Sequence, residues 1–250
     1  IGKALLVPLL ARNSGLDLLS YLYLPEEPTY YPNVPRALED NSEANRGVLR
    51  PLIDGSRLPA AKGFRFNTIA DYVQAFRSGA CTPTDVAKRT VAFIKQSNSS
   101  SPPLRGIVDW DEGVVLAMAE ASTERWKRGK PLSLLDGVPV AVKGGFRVDP
   151  YPARGGAAFI PELSRSVAEG GSVKKLKKAG AVMIGVANMH EFGTGTLGSN
   201  PNKYHLHARN PYNLSHFAGG SSSGSAVCVA AGLCPIALGT DGGGSTRVPA

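Results

Sequence analysis

Two serines stand 24 residues apart in glycine-rich surroundings, Ser221 in GGSSSGS and Ser245 in GTDGGGS. A lysine, Lys143, ends the apolar run GVPVAVK. A hydroxyl is a weak nucleophile until a base takes its proton, and burial turns a lysine into a base by penalising its charged form. Gly242, Gly243 and Gly244 offer successive backbone N–H groups with no side chains in the way, an arrangement suited to a developing oxyanion. A base, two hydroxyls and an oxyanion cradle are therefore available without a histidine.

Other readings compete for the same residues. GTGTLG (193–198) fits the dinucleotide pattern GxGxxG, which must join a strand directly to a helix and be followed by an acid about 20 positions on. The next residues, SNPNKYHLHARNPYN, make no helix, and no Asp or Glu occurs between Glu191 and Asp241. GSSSG (220–224) fits a nucleophile elbow with Ser222 at its tip, but that arrangement needs a histidine after the serine, and the last one here is His216. Plain structural roles are open as well. Serines cap helices, a lone lysine usually faces water, and a glycine run marks a sharp turn. Asp241 can cap that turn, Arg247 can pair with a carboxylate, and His190 and Glu191 read as walls beside the site.

The elements that must position these groups are legible. TIADYVQAFRSG predicts a helix capped by Thr68 and ended by Gly79, and TPTDVAKRTVAFIKQ one capped by Thr82 with Pro83 at its first position. RGIVDW is a short strand, DEGVVLAMAEASTERWKRG a long helix ending at Gly129, and GVPVAVK a buried strand. SVKKLKK followed by AGAVMIGVA reads as helix, Gly180, strand. SAVCVAAGLCPIALGT reads as a small-residue helix running into a strand. This alternation predicts an α/β fold with a mixed, twisted sheet covered by helices on both faces.

Composition sets the frame. Of 250 residues, 42% are apolar and 19% charged, with a net charge of +8, an ordinary globular balance. The charge is scattered, as in KKLKK (174–178), with no basic stripe interleaved with aromatics, so nucleic acid is not an expected partner. Three cysteines without a CxxC pair, and four histidines without a metal-binding spacing, lead us to expect neither disulfides, nor a metal, nor another cofactor. Residues 1–25 are apolar but broken by Pro8, Asn13 and Gly15, too short for a membrane span and without a cleavage site. They read as two short helices that pack on the core or dip into a membrane surface. Residues 1–67 form this segment and a wrapping connector, and 68–250 a compact domain. The chain opens on Ile1, not a methionine, and stops at RVPA, directly after the glycine loop and with no closing element, and we read it as a fragment of a longer protein whose fold is truncated at the C-terminus.

The stretch GGSSSGSAVCVAAGLCPIALGTDGGGSTRVP, with LDGVPVAVK, AGAVMIGVANMHEFG and RNPYN upstream, resembles the amidase signature family over residues 68–250. LPEEPTYYPNVP and NMHEFGTGTLGSNPN are most similar to its plant-type fatty acid amide hydrolases. The resemblance implies the amidase signature fold and amide hydrolysis without a cofactor. Ser245 would be the nucleophile, Ser221 the bridging serine and Lys143 the base, and the amides of Gly242, Gly243, Gly244 and Ser245 the oxyanion hole. It further implies a lipid amide substrate, an intracellular protein held peripherally on an endomembrane or the plasma membrane through residues 1–25, and pairing into a homodimer. Rival readings are a glutamine amidotransferase subunit of the same family and an inactive membrane-associated relative. One departure stands out: Gly144 follows the lysine where the family carries an acid.

Overall fold

In a computed structural model of the chain, residues 68–157, 168–198 and 205–250 are described. The segment expected over residues 1–67, with its apolar helices, lies outside the described residues.

Helices α1 (Ile69–Ser78) and α2 (Pro83–Ser99) begin in reciprocal capping boxes. Thr68 and Thr82 accept from the amides of Asp71 and Asp85, whose carboxylates accept from the threonine amides in return. Each box satisfies two N–H groups that a helix start leaves unpaired. Gly79 closes α1 at φ 72°, the left-handed conformation a terminating glycine provides. Strand β1 (Ile107–Asp109) and helix α3 (Glu112–Lys127), capped by Asp111, come next. Then come β2 (Pro139–Lys143), α4 (Gly171–Lys178), β3 (Val182–Ala187), β4 (Arg209–Asn210), β5 (Asn213–Phe217), α5 (Ser223–Ala230) and β6 (Ile236–Leu238).

Four strands form one sheet in the order β1-β3-β2-β6. β2 runs parallel to β3 and β6, and β1 antiparallel to β3, so the sheet is mixed as its pattern of elements predicts. Alternate residues of β2 face opposite layers. Ala141 packs with α2, α3 and α5 through Val91, Ile94, Val115, Ala119 and Cys228, while Val140 and Val142 pack toward α4 with Val173 and Met183. Being buried on both faces explains why β2 reads as a continuous apolar run rather than an alternating one. β4 and β5 form a separate hairpin that the sequence pattern does not reveal, because β5 is exposed along its length and lacks an apolar face.

A half-buried ion pair, also unannounced by the sequence, fixes the entry to β2. Asp136, wholly buried, receives Arg125 Nε at 2.8 Å and Nη2 at 2.7 Å and the Leu132 amide at 2.8 Å. Burial by itself would raise this carboxyl, but the bonds from Arg125 and Leu132 win and hold it below the ordinary carboxylate range. Gly180, which ends the α4 turn at φ 88°, lies against Asp136 so closely that a Cβ would come within 2.5 Å of its Oδ1. No helix among the described residues is long and apolar enough to cross a membrane.

Candidate active site

β2 ends at Lys143, which is 1% exposed although it carries an ammonium group. By the alternation along the strand it shares the face of Ala141, the face covered by α5. The turn entering α5 carries Ser221 to it, and Lys143 Nζ lies 2.7 Å from Ser221 Oγ. The same nitrogen lies 2.7 Å from Thr240 Oγ1 and 3.4 Å from the Thr240 carbonyl oxygen. Burial is the largest influence on this amine and pushes its pKa down to about 8, against a smaller opposing pull from Asp241. At pH 7 that raises the neutral fraction roughly 300-fold over an unperturbed lysine.

Backbone contacts hold Ser221. Its carbonyl accepts from the His190 amide at 3.1 Å, and the next amide, that of Ser222, donates to the Ser245 carbonyl at 3.0 Å. The Gly220–Ser221 peptide is cis. In the first turn of α5, Gly224 sits on the end of β3, its amide 2.9 Å from the Asn188 carbonyl. A Cβ at Gly224 would fall 2.2 Å from Asn188 N and 2.4 Å from Gly106 O. Alanine suits a helix better than glycine by about 1 kcal/mol, yet here it must displace backbone on two sides, and overpacking typically costs about 1–3 kcal/mol. Gly224→Ala is therefore expected to lower stability by about 2 kcal/mol or more. Thermal unfolding should show a drop of several degrees, and an unchanged or raised midpoint would refute this packing.

The two glycine motifs belong together. Gly198 Cα approaches the Gly219–Gly220 backbone, where a Cβ on Gly198 would lie 2.1 Å from Gly219 O. The last glycine of GTGTLG thus answers to close backbone packing against the serine turn. A Cβ on Gly193 would come 3.4 Å from Ser221 Oγ, and one on Gly195 would run into the His190 ring.

Ser245 lies beyond β6 on a loop organised by Asp241. That carboxylate accepts from the amides of Gly244, Thr246 and Arg247 at 2.8, 2.9 and 3.1 Å, and from Arg247 Nε and Nη2 at 3.1 and 3.0 Å. These donors, Arg247 foremost, hold it far below the usual carboxylate range. Of the expected oxyanion donors, the Gly244 N–H is thereby committed to Asp241. The amides of Gly242, Gly243 and Ser245 donate to no group among the described residues, and open space lies within 4 Å of both Gly242 and Gly243 where a side chain would stand. Ser245 is 8% exposed, and its Oγ makes no hydrogen bond among the described residues. The structure therefore brings Lys143 onto Ser221 and ties Ser245 to the same turn through its backbone, with the Ser221–Ser245 hydroxyl link not closed.

Comparison with known proteins gives this arrangement its setting. The Amidase family profile matches residues 89–250. The chain belongs to the amidase family. An Arabidopsis thaliana fatty acid amide hydrolase is 40% identical over 98% of the chain and 43% of its own length. A glutamyl-tRNA(Gln) amidotransferase subunit of Chloroflexus aggregans is 36% identical over 73% of the chain and 36% of its own length. The native peptide amidase of Stenotrophomonas maltophilia superposes with a TM-score of 0.67 at 27% identity, over 76% of the chain and 39% of its own. The chain thus spans less than half the length of these amidase relatives.

Two features of this candidate site escape a motif reading. Thr240 belongs to the GTD run but gives no sign of touching the lysine. The signal available is register: β6 pairs parallel with β2, Val142 opposite Leu238, so the residues just past Leu238 must pass the tip of β2. Gly144 is the other. A Cβ there would meet Val186 Cγ1 at 3.3 Å, the Ala187 carbonyl at 3.4 Å and Met189 Sδ at 3.6 Å, so this site is packed around a glycine.

Proposed function

We propose that the protein hydrolyses carboxylic amides, fatty acid amides such as N-acylethanolamines among them, by acyl transfer through Ser245. One observation carries the reading: a buried lysine amine 2.7 Å from Ser221 Oγ, on a turn bonded to the nucleophile's own carbonyl. Neutral Lys143 accepts the Ser221 proton while Ser221 accepts that of Ser245, and Ser245 Oγ attacks the amide carbon. The amides of Gly242, Gly243 and Ser245 receive the negative oxygen. As the C–N bond breaks, the relay returns its proton to the leaving amine. Water then attacks the acyl-enzyme and releases the acid. Resting sites commonly hold such hydroxyls apart until substrate is seated, which accommodates the open Ser221–Ser245 link.

The lipid substrate rests on a coarser argument. The likeness to the Arabidopsis fatty acid amide hydrolase runs through the apolar segment 1–25, whereas that to the amidotransferase subunit covers 73% of the chain. An apolar start has a use at a membrane surface, where such substrates reside. In the protein at its full length, N-acylethanolamines are expected to be hydrolysed at least about 100-fold faster, in kcat/KM, than glutamine. Equal or reversed preference would favour the amidotransferase reading. Failure of a fluorophosphonate probe to label Ser245 would mark an inactive relative.

A further inference from the structure

We propose that Thr240 is a positioning residue for the base: it takes up the N–H groups of neutral Lys143, so that the amine lone pair points at Ser221. The inference rests on the reading of Lys143 as the base. A neutral amine has two N–H donors and one lone pair. Among the described residues Lys143 Nζ has three oxygen neighbours, Ser221 Oγ and Thr240 Oγ1 at 2.7 Å each and Thr240 O at 3.4 Å. Ser221 must donate its proton to the lysine if the relay is to run. The two Thr240 oxygens are then the acceptors that remain for the two N–H groups, and the arrangement has one productive orientation. Rotation about the terminal C–N bond would otherwise spread the lone pair over three staggered directions.

Thr240 is itself held. Its amide donates to Ser222 Oγ at 3.3 Å, and Ser222 Oγ donates to its carbonyl at 3.3 Å. The middle serine of the triple thus acts on the threonine that aims the lysine. Thr240 as a residue is solvent-exposed apart from this inward hydroxyl, so valine, its isostere, removes the acceptor without opening the core. Of the titratable groups around the amine, Asp241 adjoins Thr240 on the loop and raises the lysine. His190 stands on the turn after β3, its amide on the Ser221 carbonyl.

The test compares wild type, Thr240→Val and Thr240→Ser at full length. It measures kcat and KM from pH 6 to 10, and the rate at which a fluorophosphonate probe labels Ser245 over the same range. Thr240→Val is expected to lower kcat and labelling roughly 10–100-fold with KM within about twofold. It should also move the alkaline inflection to lower pH, because the ammonium form loses an acceptor. Thr240→Ser should restore both to within about threefold. An unmoved inflection overturns the proposal even if kcat falls, because lost packing alone gives that result; so does failure of serine to rescue. The two readings separate through Lys143→Ala. If that variant keeps the wild-type rate, the base assignment fails and this inference with it. If it is inactive while Thr240→Val is unaffected, only the role of Thr240 fails.

Discussion

Ser245→Ala is expected to abolish hydrolysis, a loss of at least about 10⁴-fold, because it removes the attacking atom itself. Ser221→Ala should retain more, falling roughly 10²–10³-fold, since water can enter the vacated space and bridge to Lys143 in part. Ser222→Ala should lie within about tenfold of wild type. Among the described residues its hydroxyl bonds only the Thr240 backbone, over two long 3.3 Å bonds, and it is outside the proposed proton path. The order matters more than the sizes. A nucleophile elbow centred on Ser222 requires the reverse, with Ser222→Ala dead and Ser245→Ala nearly normal. Steady-state rates for the three full-length variants, with circular dichroism as a check on folding, decide between them.

The second large effect concerns Lys143 and pH. Burial lowers its pKa to about 8 from 10.5, so the amine becomes a competent base as pH rises through about 8. The rate should climb tenfold per pH unit below that point and level off above it. Lys143→Ala should remove the inflection and lower the plateau by about 10³-fold or more, and Lys143→Arg should not rescue, because guanidinium keeps its proton. A histidine base would instead place the inflection near pH 6.5 and lose it in one histidine variant. Stability offers a readout independent of turnover. A lysine depressed in the folded state leaves the unfolded chain binding more protons between pH 8 and 10.5, so its penalty, of order 3 kcal/mol at most, is full below about 8 and fades as pH rises to 10.5. Lys143→Met lacks the penalty. Its unfolding midpoint should exceed that of wild type at pH 7 and converge on it by pH 10.5, and a constant gap across that range would contradict the shift.

Most of the fold was legible because the sequence states it twice, in caps and in periodicity. Thr68, Thr82 and Gly79 mark helix ends by chemistry that needs no tertiary partner, and β2 and β3 are too apolar to lie anywhere but inside. The β4–β5 hairpin was not legible, since an exposed ribbon has no alternation to show. At the site, the serines, the lysine and the glycine loop were visible as types at a spacing, but their partners were not. Which oxygens surround an amine depends on strand register and on how α5 settles on β3, and neither is written in local sequence. The Asp241 clasp lay between these extremes. An aspartate before three glycines announces a turn, but not that it engages the Gly244 amide and withdraws one of the donors expected to face the substrate.

The alternation along β2 carries one more consequence. Val140 and Val142 face one layer while Ala141 shares the other with the lysine tip, so the position of Lys143 depends on parity. Substitutions among Val138, Val140 and Val142 that preserve volume should leave Lys143 where it is. Losing or gaining a single residue between Asp136, clamped by Arg125, and Lys143 would turn the lysine toward α4, away from both serines. The segment can drift in composition, then, but not in length: on the role proposed for Lys143, a one-codon deletion there is expected to stop turnover while leaving Lys143, Ser221 and Ser245 themselves unchanged.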